Sequence, residues 1–379
     1  MFDTDPSAEI LPAGLPPIGA SARRPSTSPS ERPADLFGGA PLLLTGATGF
    51  LGRALVRRLL AAGLPAGRLR CLVRDPERAM RVTGLPRECL FRADLGANHA
   101  AARREAAGEP SALHAAADGV GLVVHLAGSL KAFHRRGFDA VNVHGTARLV
   151  AAVCDAAPAA HFVHTSSLAA AGPSVDGAGT DRPADECQTV SHYGESKRLG
   201  ELAVVRSGLS FTVLRPPVVY GPNDGATRLL FQQATAVLAA VPRTSAPLSV
   251  IHADDVAEAL WLAVRQRPPG AYLPLDGPDR TDTYSFVRAI AEACQKQARL
   301  VRVPMPVACL AAHGADLWAR LRRAPGYFNR DKVREIAAKG WVADGSAARR
   351  LLGFEPLVGL EAGLRGVAEV EGRRGPPPR

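Results

Sequence analysis

The sequence predicts a doubly wound α/β fold, a parallel sheet with helices on both faces, joined by a smaller C-terminal α/β lobe. Three observations carry the prediction. Short apolar runs alternate with helical patterns from residue 41 onward, the order that builds a parallel sheet between two helix layers. The first run, Leu42–Leu44, leads into a glycine-rich turn and then a helical pattern. Most of the chemistry-bearing residues fall at the ends of apolar runs, where open α/β sheets bind ligands.

Length and composition agree. The 379 residues can bury a large core, and their number suits two lobes rather than one. Hydrophobic residues make up 46% and charged residues 22%, an ordinary globular balance. The net charge of +10 comes from scattered arginines with no interleaved aromatics, which argues against nucleic acid as a partner. Six cysteines lie far apart with no CxxC pair. That pattern suits reduced thiols in the cytoplasm and no metal site. No run reaches the roughly 18 apolar residues of a membrane span. Met1–Asp5 is acidic and no apolar signal segment follows.

In chain order, residues 1–38 are rich in Pro, Ser, Ala and Gly and read as a disordered tail. The opening turn is Thr45-Gly46-Ala47-Thr48-Gly49-Phe50-Leu51-Gly52. Gly46 permits the sharp turn, Gly49 lets backbone N–H groups approach a pyrophosphate, and Gly52 lets the helix pack closely. The helix N-terminus then faces the anion. Leu69–Val73 is a second strand, ending at Arg74-Asp75. An arginine there suits a ribose 2′-phosphate and an acid a free 2′-hydroxyl. Arg74 as the terminal residue favours NADP, and Asp75 in that place favours NAD. Cys89–Leu95 is a third strand with Asp94 at its tip, placed to meet an adenine amino group. Gly121–Gly128 is a fourth, in which His125 reads as a core histidine. A helical pattern spans Phe138–Cys154, and a fifth strand, His161–His164, runs into Thr165-Ser166-Ser167.

Tyr193 and Lys197 then share one face of a helical segment at i, i+4 spacing. A free tyrosine titrates near ~10. A lysine one turn away is expected to lower that value, and the Ser167 hydroxyl is placed to orient a carbonyl. With a nicotinamide handling hydride, the three side chains form an acid–base set for a carbonyl or alcohol.

These motifs together resemble the extended short-chain dehydrogenase/reductases of the NAD-dependent epimerase/dehydratase group. The resemblance covers residues 41–260 and includes His125–Gly128, Asn142–Thr146, Leu214–Pro222 and Ile251–Ala257. It implies a Rossmann-type domain over residues 39–275, with 222–250 contributing to a substrate lobe. Residues 276–370 would complete that lobe, and 371–379 would be a loose tail. It implies Gly46, Thr48, Gly49, Phe50, Leu51 and Gly52 along the pyrophosphate. Asp94 and Leu95 would meet the adenine. Ala127, Gly128, Thr165, Pro216 and Val219 would lie on the ribose and nicotinamide side. Tyr193 would be the acid/base, Lys197 would also hold the nicotinamide ribose, and Ser167 would be the catalytic hydroxyl. Arg74 falls where NAD-using relatives carry an acid, which points to NADP, with NAD the alternative. Pairing into a homodimer through the Tyr–Lys helix is a further implication.

Departures from the family narrow the chemistry. Sugar dehydratases carry Thr-Asp-Glu where this chain has Ser167-Leu168-Ala169, so no carboxylate serves a leaving hydroxyl. Nucleotide-sugar enzymes usually carry an asparagine and an arginine where Pro217-Val218 and Leu248–Val250 stand. Each lost charge-assisted contact is worth about 1.5–3 kcal/mol. Arg228 or Arg243 could compensate. The expected activity is therefore an NADP-dependent oxidoreductase acting on a small, partly apolar carbonyl or alcohol. Its rivals are an NAD-dependent sugar epimerase and a non-catalytic NADP-binding sensor.

In the C-terminal part, Ala271–Leu275 is expected to return to the sheet, and Asp282 or Thr283 to cap a helix. Val307–Arg322 is an apolar-striped helix, read as core or subunit interface rather than a membrane anchor because Ala, His and Asp interrupt it.

Overall fold

The structure is a computed structural model, and it describes residues 38–96, 112–244, 246–296 and 299–372. The stretches 1–37 and 373–379, expected to be tails, lie outside the described residues.

The first strands are β1 (Leu42–Thr45), β2 (Leu69–Val73), β3 (Leu90–Arg92), β4 (Leu122–His125), β5 (His161–Thr165) and β6 (Ser210–Arg215). Three more follow as β7 (Val218–Tyr220), β8 (Leu238–Pro242) and β9 (Pro247–His252). The last are β10 (Ala271–Pro274), β11 (Arg280–Asp282) and β12 (Arg299–Val303). Seven strands form one parallel sheet in the order β10-β6-β5-β4-β1-β2-β3. The order reverses between β1 and β4, so the crevice beyond their carboxyl ends is the binding place of such a sheet. A three-stranded sheet, β11-β9-β7, and a parallel pair, β12-β8, lie apart from it.

Central strands are buried on both faces, so β1 and β4 are mostly apolar and even the histidines and threonine of β5 are buried. One core cluster joins β1 and β2 to α1 (Phe50–Ala61) and α9 (Ala253–Gln266), and reaches Phe354. A second fills the other face, around Leu149, Val153 and Phe162. The third strand is shorter than expected: it ends at Arg92, and Asp94 and Leu95 lie beyond it. The expected helix over Phe138–Cys154 starts earlier, as α4 (Arg135–Asp139). A π-turn over Ala140–Gly145 follows, and then α5 (Thr146–Ala156).

Helices α2 (Pro76–Thr83) and α3 (Ala112–Ala117) precede β4, and α6 (Leu168–Ala171), α7 (His192–Val205) and α8 (Gly225–Ala234) follow β5. The C-terminal helices are α10 (Thr283–Ala293), α11 (Met305–Leu321), α12 (Arg330–Ile336), α13 (Ser346–Leu352) and α14 (Leu360–Gly372). Asp282 caps α10, accepting from Tyr284 N at 2.8 Å and Ser285 N at 3.1 Å. The expectation that α11 is core is not met: only Ala308 and Ala312 are buried in it. Helix α14 continues to Gly372, two residues into the expected tail.

Helix α7 is fastened to the sheet by an ion pair with no solvent exposure. Arg215 at the end of β6 donates to Glu201 through Nη2 at 2.6 Å and Nε at 3.0 Å. Its Nη1 donates to the carbonyls of Thr180 and Arg182, which anchors the loop ahead of α7. Its guanidinium also lies 4.5 Å from the Tyr272 ring centre. Breaking a buried pair strands a charge. Arg215→Met or Glu201→Leu alone should therefore lower the unfolding free energy by about 3–5 kcal/mol in urea titrations, whereas the double variant should recover much of the loss.

Three histidines sit inside the sheet. His125 bonds Thr45 Oγ1 at 2.6 Å and Thr146 Oγ1 at 3.0 Å, as a core histidine would. Burial, helped by Lys197, lowers its pKa to about 3. Burial, helped by Arg267, lowers that of His161 to about 4. His164 is lowered too, chiefly by burial, and its ring nitrogens have no hydrogen-bond partner among the described residues. The unfolded chain takes up these protons near pH ~6.5, which the folded chain resists. The histidines' stabilising contribution is complete above about pH 6.5 and is lost as pH falls toward 4. Thermal melts should show the melting temperature dropping over that range, and His164→Leu should flatten the drop.

Candidate active site

The glycine turn and the small-residue end of β4 meet. Gly46 holds φ +74°, and a Cβ there would lie 2.8 Å from Ala127 N. Only glycine fits both constraints. A Cβ on Gly52 would collide with the Gly46 carbonyl, so α1 lies directly against the turn. Gly49 N–H closes the turn on Gly46 O at 2.9 Å, and Arg53 N makes the first bond of α1, to Gly49 O. The first-turn N–H groups of α1 lack helical partners, which suits a bound anion. Phe50 packs against Gly221, and Arg53 donates to Asn223 O at 2.8 Å, so the turn touches the loop after β7.

Arg74 follows β2 directly and is exposed. Asp75 is occupied elsewhere: its carboxylate caps α2, accepting from Arg78 N at 3.0 Å. Asp94 is exposed past β3 and accepts from Gly96 N at 2.9 Å. Leu95 is buried beneath it, with its carbonyl against Gly145.

Residues distant in sequence converge beyond β4 and β5. Ser167 caps α6, its Oγ accepting from Ala169 N at 3.2 Å, and lies close enough to the Tyr193 phenol to oppose the rise of its pKa. Lys197 is buried and donates from Nζ to Thr165 O at 2.7 Å. Burial lowers its pKa to about 8, opposed by the Glu201 carboxylate. A Cβ on Gly128 would lie 3.2 Å from Asn142 Oδ1 and 3.6 Å from Lys197 Nζ. Asn142 is fixed in turn by Ser129 N at 2.7 Å and Ser196 Oγ at 2.9 Å. Pro216 O accepts from Leu168 N at 2.8 Å, and Val219 packs on the main core.

One electrostatic expectation is corrected. Burial raises the Tyr193 phenol well above its ordinary value, Ser167 opposes the rise, and Glu335 adds to it. Lys197 is not among the groups acting on it; its ammonium is turned to the Thr165 carbonyl.

A nicotinamide dinucleotide fits these residues. The turn leaves no room for side chains at Gly46 and Gly52. The hydroxyls of Thr165 and Ser166 are buried without hydrogen-bond partners among the described residues. Both lie at the carboxyl end of β5, where the ligand of such a sheet binds.

Two acids from far along the chain complete the site and were not legible in the sequence. Asp331 on α12 accepts from His192 N at 2.8 Å and Tyr193 N at 3.1 Å, capping α7 from outside. Glu335, one turn on, accepts from Ser191 Oγ at 2.7 Å. Asn329 caps α12, accepting from Lys332 N at 2.8 Å. The D-x-x-x-E spacing on one helix face was the available signal, but nothing local tied it to Tyr193.

Tyr193 opens onto a cavity of about 260 Å³. Its walls include Leu130, Phe138, Leu229, Leu230, Val287 and Phe328, with Asp331 and Glu335 near the tyrosine. Of the two arginines that could have supplied a phosphate contact, Arg228 pairs with Glu371 at 3.1 Å, and neither lines the cavity.

Comparison with known proteins agrees with this geometry. The chain is 36% identical over 308 residues to a ceramide reductase of Caulobacter vibrioides, covering 79% of this chain and 84% of that one. It is 27% identical to a 2-alkyl-3-oxoalkanoate reductase of Stenotrophomonas maltophilia, covering 86% and 97%. A dTDP-glucose 4,6-dehydratase of Streptomyces venezuelae, solved with NAD, shares the fold at a TM-score of 0.67 and 19% identity, covering 88% and 97%. Residues 42–273 match the NAD dependent epimerase/dehydratase family. This chain, an oxidoreductase-type enzyme with a Rossmann-like parallel sheet, belongs to that family.

Proposed function

We propose that this chain reduces a ketone on an alkyl-bearing, lipid-like substrate, using NADPH. The observation that carries the reading is Tyr193 at the wall of an apolar cavity, with Ser167 near enough to act on its phenol. The relatives named ceramide reductase and 2-alkyl-3-oxoalkanoate reductase support a reductase of that class.

When bound, a nicotinamide would supply the hydride that reduces the carbonyl carbon. Ser167 Oγ orients the carbonyl oxygen, and Tyr193 gives it a proton. A phenol held above its ordinary value stays protonated at neutral pH, the state a proton donor needs. Lys197, seated on the Thr165 carbonyl, would hold the ribose hydroxyls of the dinucleotide. The apolar walls exclude water and bind the alkyl chain.

NADP is the dinucleotide we infer, because Arg74 is exposed at the end of β2 while Asp75 is committed to capping.

NADPH oxidation should proceed with 3-oxo alkyl substrates, kcat/KM rising with chain length, and UDP-glucose should remain unchanged. No turnover across the series would overturn the reading. Tyr193→Phe should lower kcat by about 10²–10⁴-fold, with NADPH affinity and melting temperature unchanged. Arg74→Asp should weaken NADPH binding by about 10- to 100-fold, the worth of one charge-assisted contact, and spare NADH. Fluorescence titration of both cofactors checks this.

A further inference from the structure

Helix α11 turns its apolar side the wrong way for folding. Val307, Leu310, Leu317, Trp318 and Leu321 fall within one face at i, i+3, i+10, i+11 and i+14. All five are exposed, Leu310 by 74% and Leu321 by 70%. The opposite face, against the protein, carries Ala308 and Ala312, both buried. The smallest apolar side chains thus face inward and the largest face solvent. The lone acid of the helix, Asp316, is clipped to Arg330 at the start of α12 at 2.9 Å. Arg320, Arg322 and Arg323 cluster at its end, with the Arg322 guanidinium 4.8 Å from the Trp318 ring centre.

We propose that α11 is a docking helix for a lipid bilayer bearing anionic headgroups. Leucines and a tryptophan on one face, flanked by arginines and lying flat, form the pattern of an interfacial helix. Anionic lipid complements both the apolar face and the arginines. A second copy of the chain would offer the same arginines again. Position supports the same occupant. Helix α11 is tied through Asp316 and Arg330 to α12, whose Asp331 and Glu335 line the cavity, and Leu229 and Leu130, also lining it, are exposed. The delivery of substrate from that bilayer rests on the reductase reading above; lipid binding itself does not. Among the described residues no helix is long and apolar enough to cross a membrane, so the contact is with the surface.

The test uses the full chain with phosphatidylcholine vesicles, with and without phosphatidylglycerol. The chain should float with anionic vesicles, bind neutral ones more weakly, and detach in high salt. Leu317→Glu combined with Leu321→Glu should reduce partitioning at least about tenfold. The same variant should keep its melting temperature, its NADPH affinity and its turnover of a soluble short-chain ketone. No flotation of the native chain would overturn the proposal. So would a native dimer, seen by sedimentation, that the double variant converts to monomer. Flotation without ketone reduction would overturn the reductase reading and leave the docking intact.

Discussion

The buried pair between Glu201 and Arg215 fixes the helix that carries Tyr193 and Lys197 to the sheet. Two opposite charges without solvent are tolerable only when each is well bonded, and here each is. Because Arg215 also holds Thr180 and Arg182 carbonyls, one guanidinium fixes β6, α7 and the approach to α7 together. Lys197 sits one turn before Glu201 on the same helix, and the glutamate opposes the loss of its charge. The structural charge and the functional one are thus neighbours on one rigid element.

A second constraint comes from the other side of α7. Asp331 supplies acceptors to the free N–H groups of its first turn, and Glu335 binds its N-cap serine. The helix is consequently held at its start by α12 and at its middle by the sheet. The C-terminal segment is part of the active-site frame, beyond its role in lining the cavity. The cost is electrostatic: Glu335 adds to the rise of the Tyr193 phenol.

Features resting on local periodicity were legible in the sequence. The apolar runs, the glycine turn and the Tyr193–Lys197 spacing each occupy a few residues, and the parallel sheet between two helix layers followed from their alternation. What the sequence did not reveal depends on long-range contact. Asp331 lies 138 residues from Tyr193, and no local pattern links them. The direction of the Tyr193 shift was misjudged because helical spacing shows that two side chains share a face, but not that the Lys197 ammonium is drawn to the Thr165 carbonyl. The stripe of α11 was legible as a stripe, yet its outward orientation is a property of the packing.

Arg74 and Asp75 divide two duties between adjacent positions. Asp75 holds the first turn of α2, so its identity is bound to the fold. Arg74 makes an exposed step between strand and helix. On the NADP reading proposed above, a lineage carrying this scaffold changes the residue at position 74 without first repairing a helix, and its redox economy drifts by a single codon while the architecture stays under separate selection.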